Sequence, residues 1–236
     1  MATLVLIPGL ASDSIVWQPL ADAMAERIPV YPADISRDAS IPEMAARVLQ
    51  EVEGDIIAVG HSLGGRVAME MARQAPDRIV GLVLANTGQH PKRDGEEIKR
   101  QQMIDLGYED IGRLADAWLP PMLDLARVGD SMLMSKLKAM VLRMGAEVHD
   151  RQIRSLVARP DASAYLPQIT CPILFVAALQ DGFSPVAQHR EMADAAPDTE
   201  LAIVDNAGHF APLEQPEAVV AAITGWLGRR FGEAHA

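Results

Sequence analysis

The sequence predicts an α/β protein: a mostly parallel, six-stranded, doubly wound sheet interrupted once by a helical insertion. Three observations carry that expectation. Short, nearly continuous apolar runs recur along the chain, as suits strands covered by helices on both faces. Longer segments with apolar residues at helical spacing lie between them, and strand-helix alternation winds into a parallel sheet. The alternation fails once, across residues 87–168, where helical patterns follow one another without a strand.

The expected strands are Thr3 to Ile7, Ile28 to Tyr31, Asp55 to Val59, Ile79 to Ala85, Ile173 to Ala177 and Glu200 to Val204. Helical spacing covers Ile15 to Arg27, Pro42 to Glu51, Leu63 to Ala75, Pro185 to Ala196 and Pro216 to Leu227. In the insertion it covers Glu96 to Leu106, Ile111 to Leu119, Ser131 to Met144 and Glu147 to Ala158, punctuated by Pro120-Pro121, Gly129, Gly145 and Pro160. The core is therefore expected over residues 1–86 and 169–236. Met103, Met122, Met132, Met134, Met140 and Met144 all fall in the insertion, where thioethers either wall an adaptable pocket or fill a small helical core. Gly232 to Ala234 read as a frayed tail, and His235 beyond them receives no role.

A length of 236 residues suits one core with a modest insertion. A net charge of -11 argues against nucleic acid or an anionic membrane as partner. The single cysteine, Cys171, sits in an apolar run and is expected to be a buried structural thiol, with no disulfide framework possible. No basic leader with a cleavage site opens the chain, and no apolar stretch approaches the roughly 20 residues of a membrane span. The expectation is a soluble, cytoplasmic protein acting on a small molecule.

The chemistry begins where the third strand runs into Gly60-His61-Ser62-Leu63-Gly64-Gly65 and a helix follows at once. A strand-turn-helix context of this kind presents a serine on a strained turn, which needs tiny residues two before and two after it. Ser62 then stands at a helix N-terminus, whose free N–H groups and partial positive charge favour an oxyanion. A serine hydroxyl needs a base. Of the six histidines, His209 alone follows an expected strand in a loop, Asn206-Ala207-Gly208-His209-Phe210. His61 should line the pocket or pack, while His90, His149 and His189 read as solvated. The acid that orients the histidine should follow another strand: Asp181 in Gln180-Asp181-Gly182 fits, with Asp205 as its competitor. Donors for the oxyanion are expected from the Leu63 N–H and from Leu10, in the loop after the first strand. A histidine base implies that activity falls in acid.

These residues resemble the α/β-hydrolase superfamily, in the branch with a helical cap. The resemblance rests on Pro8-Gly9-Leu10, Gly60-His61-Ser62-Leu63-Gly64-Gly65, Ala75-Pro76-Asp77-Arg78, Asp181 with Pro185, and Gly208-His209-Phe210-Ala211-Pro212 with Glu214-Gln215-Pro216. It covers nearly the whole chain. Two departures stand out: the family usually opens with two further strands for which this chain has no residues, and Pro8 stands where many relatives carry a histidine before the oxyanion-loop glycine. The resemblance implies acyl transfer to water through Ser62, Asp181 and His209, with no cofactor or metal. A serine at the elbow disfavours the branches that form an alkyl ester on an aspartate. The cap residues Trp118, Leu119, Met122, Met134 and Met140 imply an apolar acyl or alcohol group, with Trp118 the expected substrate contact. The first expectation is a carboxylesterase for small to medium esters. Lactone or C–C bond hydrolysis, a cofactor-free lyase or synthase on the same triad, and a receptor-like ligand-binding protein are the alternatives.

Overall fold

A computed structural model describes residues 2–232, so the tail from Glu233, with His235, lies outside the described residues. The strands are β1 (Thr3–Ile7), β2 (Val30–Pro32), β3 (Ile56–His61), β4 (Ile79–Ala85), β5 (Ile173–Ala178) and β6 (Thr199–Val204). They form one six-stranded sheet in the order β2-β1-β3-β4-β5-β6, every neighbouring pair parallel. The four central strands are almost wholly buried, which is why they read as continuous apolar runs, whereas β2 and β6 form half-exposed edges. Core helices are α1 (Gln18–Met24), α2 (Ile41–Glu51), α3 (Leu63–Gln74), α7 (Val186–Ala195), α8 (Ala211–Glu214) and α9 (Pro216–Phe231), with α4 (Glu96–Glu109), α5 (Ile111–Trp118) and α6 (Ser131–Val157) between β4 and β5.

Several expected boundaries move for local reasons. The first helix is split: Asp13 caps a 3-10 turn over Ser14–Trp17, and α1 restarts at Gln18 with Pro19 in its first turn, where a missing N–H costs nothing. The second strand lies later than expected. Ile28 is spent closing the preceding turn through its N–H to the Met24 carbonyl, and Pro32 is tolerated because β2 is an edge. α6 contains a non-helical residue at Gly145 (φ 75°, ψ 173°), so the chain breaks where the sequence punctuates it.

The helices between β4 and β5 pack on one another, capped by Asp110 and Asp130 at the starts of α5 and α6. Of their methionines, Met122 and Met140 are buried, Met103, Met134 and Met144 half-buried, and Met132 exposed. Cys171 is half-buried rather than buried, its thiol pushed up to about 11 by desolvation. Among the described residues no helix is long and apolar enough to cross a membrane.

Candidate active site

β3 carries Gly60 and His61 into the turn, Ser62 adopts φ 54° and ψ −113°, and α3 begins at Leu63. Positive φ is costly for a residue with a Cβ and is held here by its neighbours. The Ser62 N–H donates to the Ala85 carbonyl (2.9 Å) and its carbonyl accepts from Thr87 Oγ1 (2.7 Å). The two flanking glycines are dictated by space: a Cβ on Gly60 would collide with the Gly64 backbone, and one on Gly64 with the Ile7 and Pro8 carbonyls.

Ser62 Oγ lies 2.8 Å from His209 Nε2, and His209 Nδ1 lies 2.9 Å from Asp181 Oδ2. The three candidates thus form one hydrogen-bonded chain, with Asp181 and His209 both buried. Burial alone would raise the Asp181 carboxyl. His209, the Ser184 N–H and the Asn86 amide overcome it and hold the group well below the usual carboxylate range. Phe183 and Ser184 N–H groups wrap Oδ1 (2.8 and 3.0 Å), and Asn86 Nδ2 donates to Oδ2 (2.9 Å). Asp205 takes no part: it is exposed and accepts from Gln180 Nε2 and the Asn206 N–H in its own turn.

The histidine loop is clamped from below. Buried Glu214 accepts from the Gly208, Phe210 and Asp124 N–H groups, while the His209 N–H donates to the Met122 carbonyl (2.6 Å). His61 Nε2 donates to the His209 carbonyl (2.7 Å), and burial, then the charge of His209, pushes its pKa down to about 3, so it packs as a neutral ring.

β1 lies beside β3, so the loops after both strands emerge where the winding direction reverses. That brings Leu10 and Leu63 to the same cavity as Ser62. The Leu63 N–H is the first of α3 and lacks an intrahelical acceptor. The loop after β1 is held from α6: Gln152, fully buried, accepts the Ala11 N–H on Oε1 (2.7 Å) and donates from Nε2 to the Ile35 carbonyl (3.2 Å).

The cavity encloses about 700 Å³ between the carboxyl ends of the strands and the helical segment above them. Of the apolar residues singled out in the helical segment, Trp118 and Met122 line it, whereas Leu119, Met134 and Met140 do not. Phe183, Arg66 and Arg159 line it without having been singled out from the sequence. Two expectations for histidines need correction. His149 and His189 are fully buried, because each sits on the inward face of its helix: His149 packs edge-on against Trp118, and His189 accepts the Thr87 N–H. His90 is half-exposed and lies 3.3 Å from Glu191. Among the described residues no group of three or more histidine, cysteine or carboxylate side chains is arranged to hold a metal ion.

Residues 4–222 match the sequence model of the family described as "Alpha/beta hydrolase family". The chain is similar to the biotin biosynthesis bifunctional protein BioHC of Cellvibrio japonicus, with 24% identity over 93% of this chain, which spans only 46% of that protein. It is similar to the putative carbamate hydrolase RutD of Stutzerimonas stutzeri, with 26% identity over 98% of this chain and 93% of that protein. Among solved structures, a thermophilic esterase from Thermogutta terrifontis superposes with a TM-score of 0.88 at 24% identity, covering 100% of this chain and 91% of that one.

Proposed function

The chain belongs to the α/β hydrolase family, and on that footing we propose that it hydrolyses carboxylic esters through an acyl-enzyme on Ser62. The observation that carries this reading is the Ser62–His209–Asp181 hydrogen-bond chain, whose serine opens onto the cavity. Ser62 Oγ attacks the ester carbonyl carbon as its proton passes to His209 Nε2. The carbonyl π pair moves to oxygen, where the Leu10 and Leu63 N–H groups receive it. When the tetrahedral adduct collapses, the C–O bond to the alcohol breaks and His209 returns the proton to the leaving oxygen. Water then repeats the sequence on the acyl-enzyme, releasing acid and free Ser62.

Asp181 fixes the tautomer in which Nδ1 carries the hydrogen and Nε2 is free to accept, and it stabilises the imidazolium that forms. The N–H and amide donors around it keep it ionised despite burial. The segment 87–168 acts as a cap, with Trp118 and Met122 facing the substrate's apolar part. RutD is named a putative carbamate hydrolase, and a carbamate carbonyl would suit the same machinery.

Purified protein incubated with a panel of p-nitrophenyl esters and a fluorophosphonate probe tests the reading. Turnover and labelling are expected, and Ser62→Ala should lower turnover by on the order of a thousandfold or more. Absence of both turnover and labelling would refute the esterase, and wild-type turnover in Ser62→Ala would move the nucleophile elsewhere.

A further inference from the structure

One wall of the cavity carries charge that contradicts the chain as a whole. Over all 236 residues the net charge is -11, yet the cavity is lined by Arg66, Arg93, Lys99, Arg100 and Arg159 against only Asp94 and Glu96. Part of this excess is neutralised internally. Glu96 takes both Nη atoms of Arg159 at 2.8 Å and Arg100 Nε at 2.6 Å. Burial would raise its carboxyl, but Arg159, the Arg93 N–H and Arg100 hold it down to about 2. One carboxylate therefore serves two guanidinium groups.

Arg66 has no such partner. Among the described residues its side chain makes one hydrogen bond, from Nη1 to the His90 carbonyl (3.0 Å), and no carboxylate lies within ion-pair distance of it. Burial, then the charge of Arg159, pushes its pKa down to about 9, and Tyr165 and Glu96 offset this only in part. Its place on α3 is functional geometry: four residues after Ser62, it stands one helical turn along the same face and lines the same cavity.

We propose that Arg66 is the anchor for a carboxylate on the substrate, so that the preferred ester bears a negatively charged group a short spacer away from the carbonyl attacked by Ser62. This rests on the esterase reading and narrows its substrate class. A single guanidinium that lines the cavity and spends only Nη1 on a carbonyl matches one planar carboxylate, in charge and in paired donors. The neighbouring Glu96–Arg159 pair already displays that geometry two-pronged. Arg100 and Arg159 are engaged with Glu96, which leaves Arg66 as the guanidinium free to take the substrate's carboxylate. Leu114, Trp118, Met122 and Ile153, which line the same cavity, accept the uncharged part of the molecule.

The test compares substrates that differ only in charge: monomethyl glutarate against methyl 4-carbamoylbutanoate, read by methanol release, and 3-acetoxypropanoate against 3-acetoxypropanamide, read by acetate release. The pairs place the anion on the acyl and the alcohol side respectively. In at least one pair the carboxylate member should have a kcat/KM higher by roughly tenfold or more, as expected for a charge-assisted hydrogen bond in a desolvated site. Arg66→Gln should collapse that ratio towards one, and Arg66→Lys, which keeps the charge but not the paired donors, should keep only part of it. Glutarate should inhibit competitively and more strongly than inorganic phosphate. A wild-type enzyme that turns over both members of each pair equally overturns the anchor while leaving the esterase intact, and stronger inhibition by phosphate overturns the carboxylate assignment. Should no ester be turned over, the anchor is read apart from catalysis: glutarate should raise the Tm of Ser62→Ala protein and fail to do so in the Ser62→Ala, Arg66→Gln double variant. An equal shift in both would refute it.

Discussion

Gln152→Leu probes how the oxyanion loop is held. Gln152 belongs to α6, yet both ends of its amide serve the core: Oε1 accepts the Ala11 N–H at 2.7 Å and Nε2 donates to the Ile35 carbonyl at 3.2 Å. Ala11, next to Leu10, is held at φ 47°, a left-handed conformation that costs an alanine about 1 kcal/mol or more. Leucine has a similar volume but removes both hydrogen bonds, leaving two buried backbone groups unpaired at about 1–3 kcal/mol each. If the backbone stays in place the stability loss is therefore roughly 2–6 kcal/mol. If the loop relaxes to recover those bonds, Ala11 leaves its strained conformation and the Leu10 N–H moves off the oxyanion. The loss then appears in kcat, up to the order of 100- to 1000-fold known for removing one oxyanion donor. KM should change little, since that donor acts in the transition state. Urea unfolding and steady-state kinetics on a p-nitrophenyl ester measure the two together. A folded Gln152→Leu protein with wild-type stability and a kcat within about twofold of wild type would refute this role.

Two further predictions concern buried polar groups around the site. Asn86 gives its amide to Asp181 Oδ2 (2.9 Å) and the Gly208 carbonyl (3.3 Å); Asn86→Ala should lower kcat by about tenfold, and Asn86→Asp, which sets a second carboxylate against Asp181, should lower it further. Kinetics of both variants check this, and an unchanged kcat in either sinks it. His149 is fully buried with no partner for either ring nitrogen, and burial pushes its pKa down to about 4. The unfolded chain takes up that proton first, so stability should fall as pH drops from about 6.5 to about 4 and level off below, by on the order of 3 kcal/mol. His61, also depressed, adds a slope of the same sign. The His149 share is therefore the difference between wild type and His149→Phe in urea midpoints across that range, and identical slopes would refute it.

What could be read from the sequence is what local physics decides. Gly60 and Gly64 announce the elbow because any Cβ there strikes backbone, a constraint expressed at fixed offsets from Ser62. The central strands announce themselves because helices cover them on both faces. Asp181 was harder to separate from Asp205, since both follow strands. What separates them is the turn after β5, which folds the Phe183 and Ser184 N–H groups onto one carboxylate and aims its other oxygen at His209.

Arg66 and Gln152 gave no sequence signal for a different reason. Each lies in a helix whose pattern explains it blandly, as a polar position on an amphipathic surface. Their roles come from groups far along the chain: Gln152 meets Ala11 across 141 residues, and Arg66 is desolvated by the segment that contributes His90 and Arg159. A helical period states which face of a helix turns inward but not what it will meet there. His149 and His189 read as solvated by the same logic and are buried. The proposed catalytic centre is therefore written in short motifs, whereas the groups proposed to choose the substrate and hold the oxyanion loop acquire their chemistry only from contacts with residues distant in the chain. Selectivity for charge should accordingly respond to changes in residues 87–168, such as those at Arg159 or Glu96, that leave Ser62, His209 and Asp181 in place.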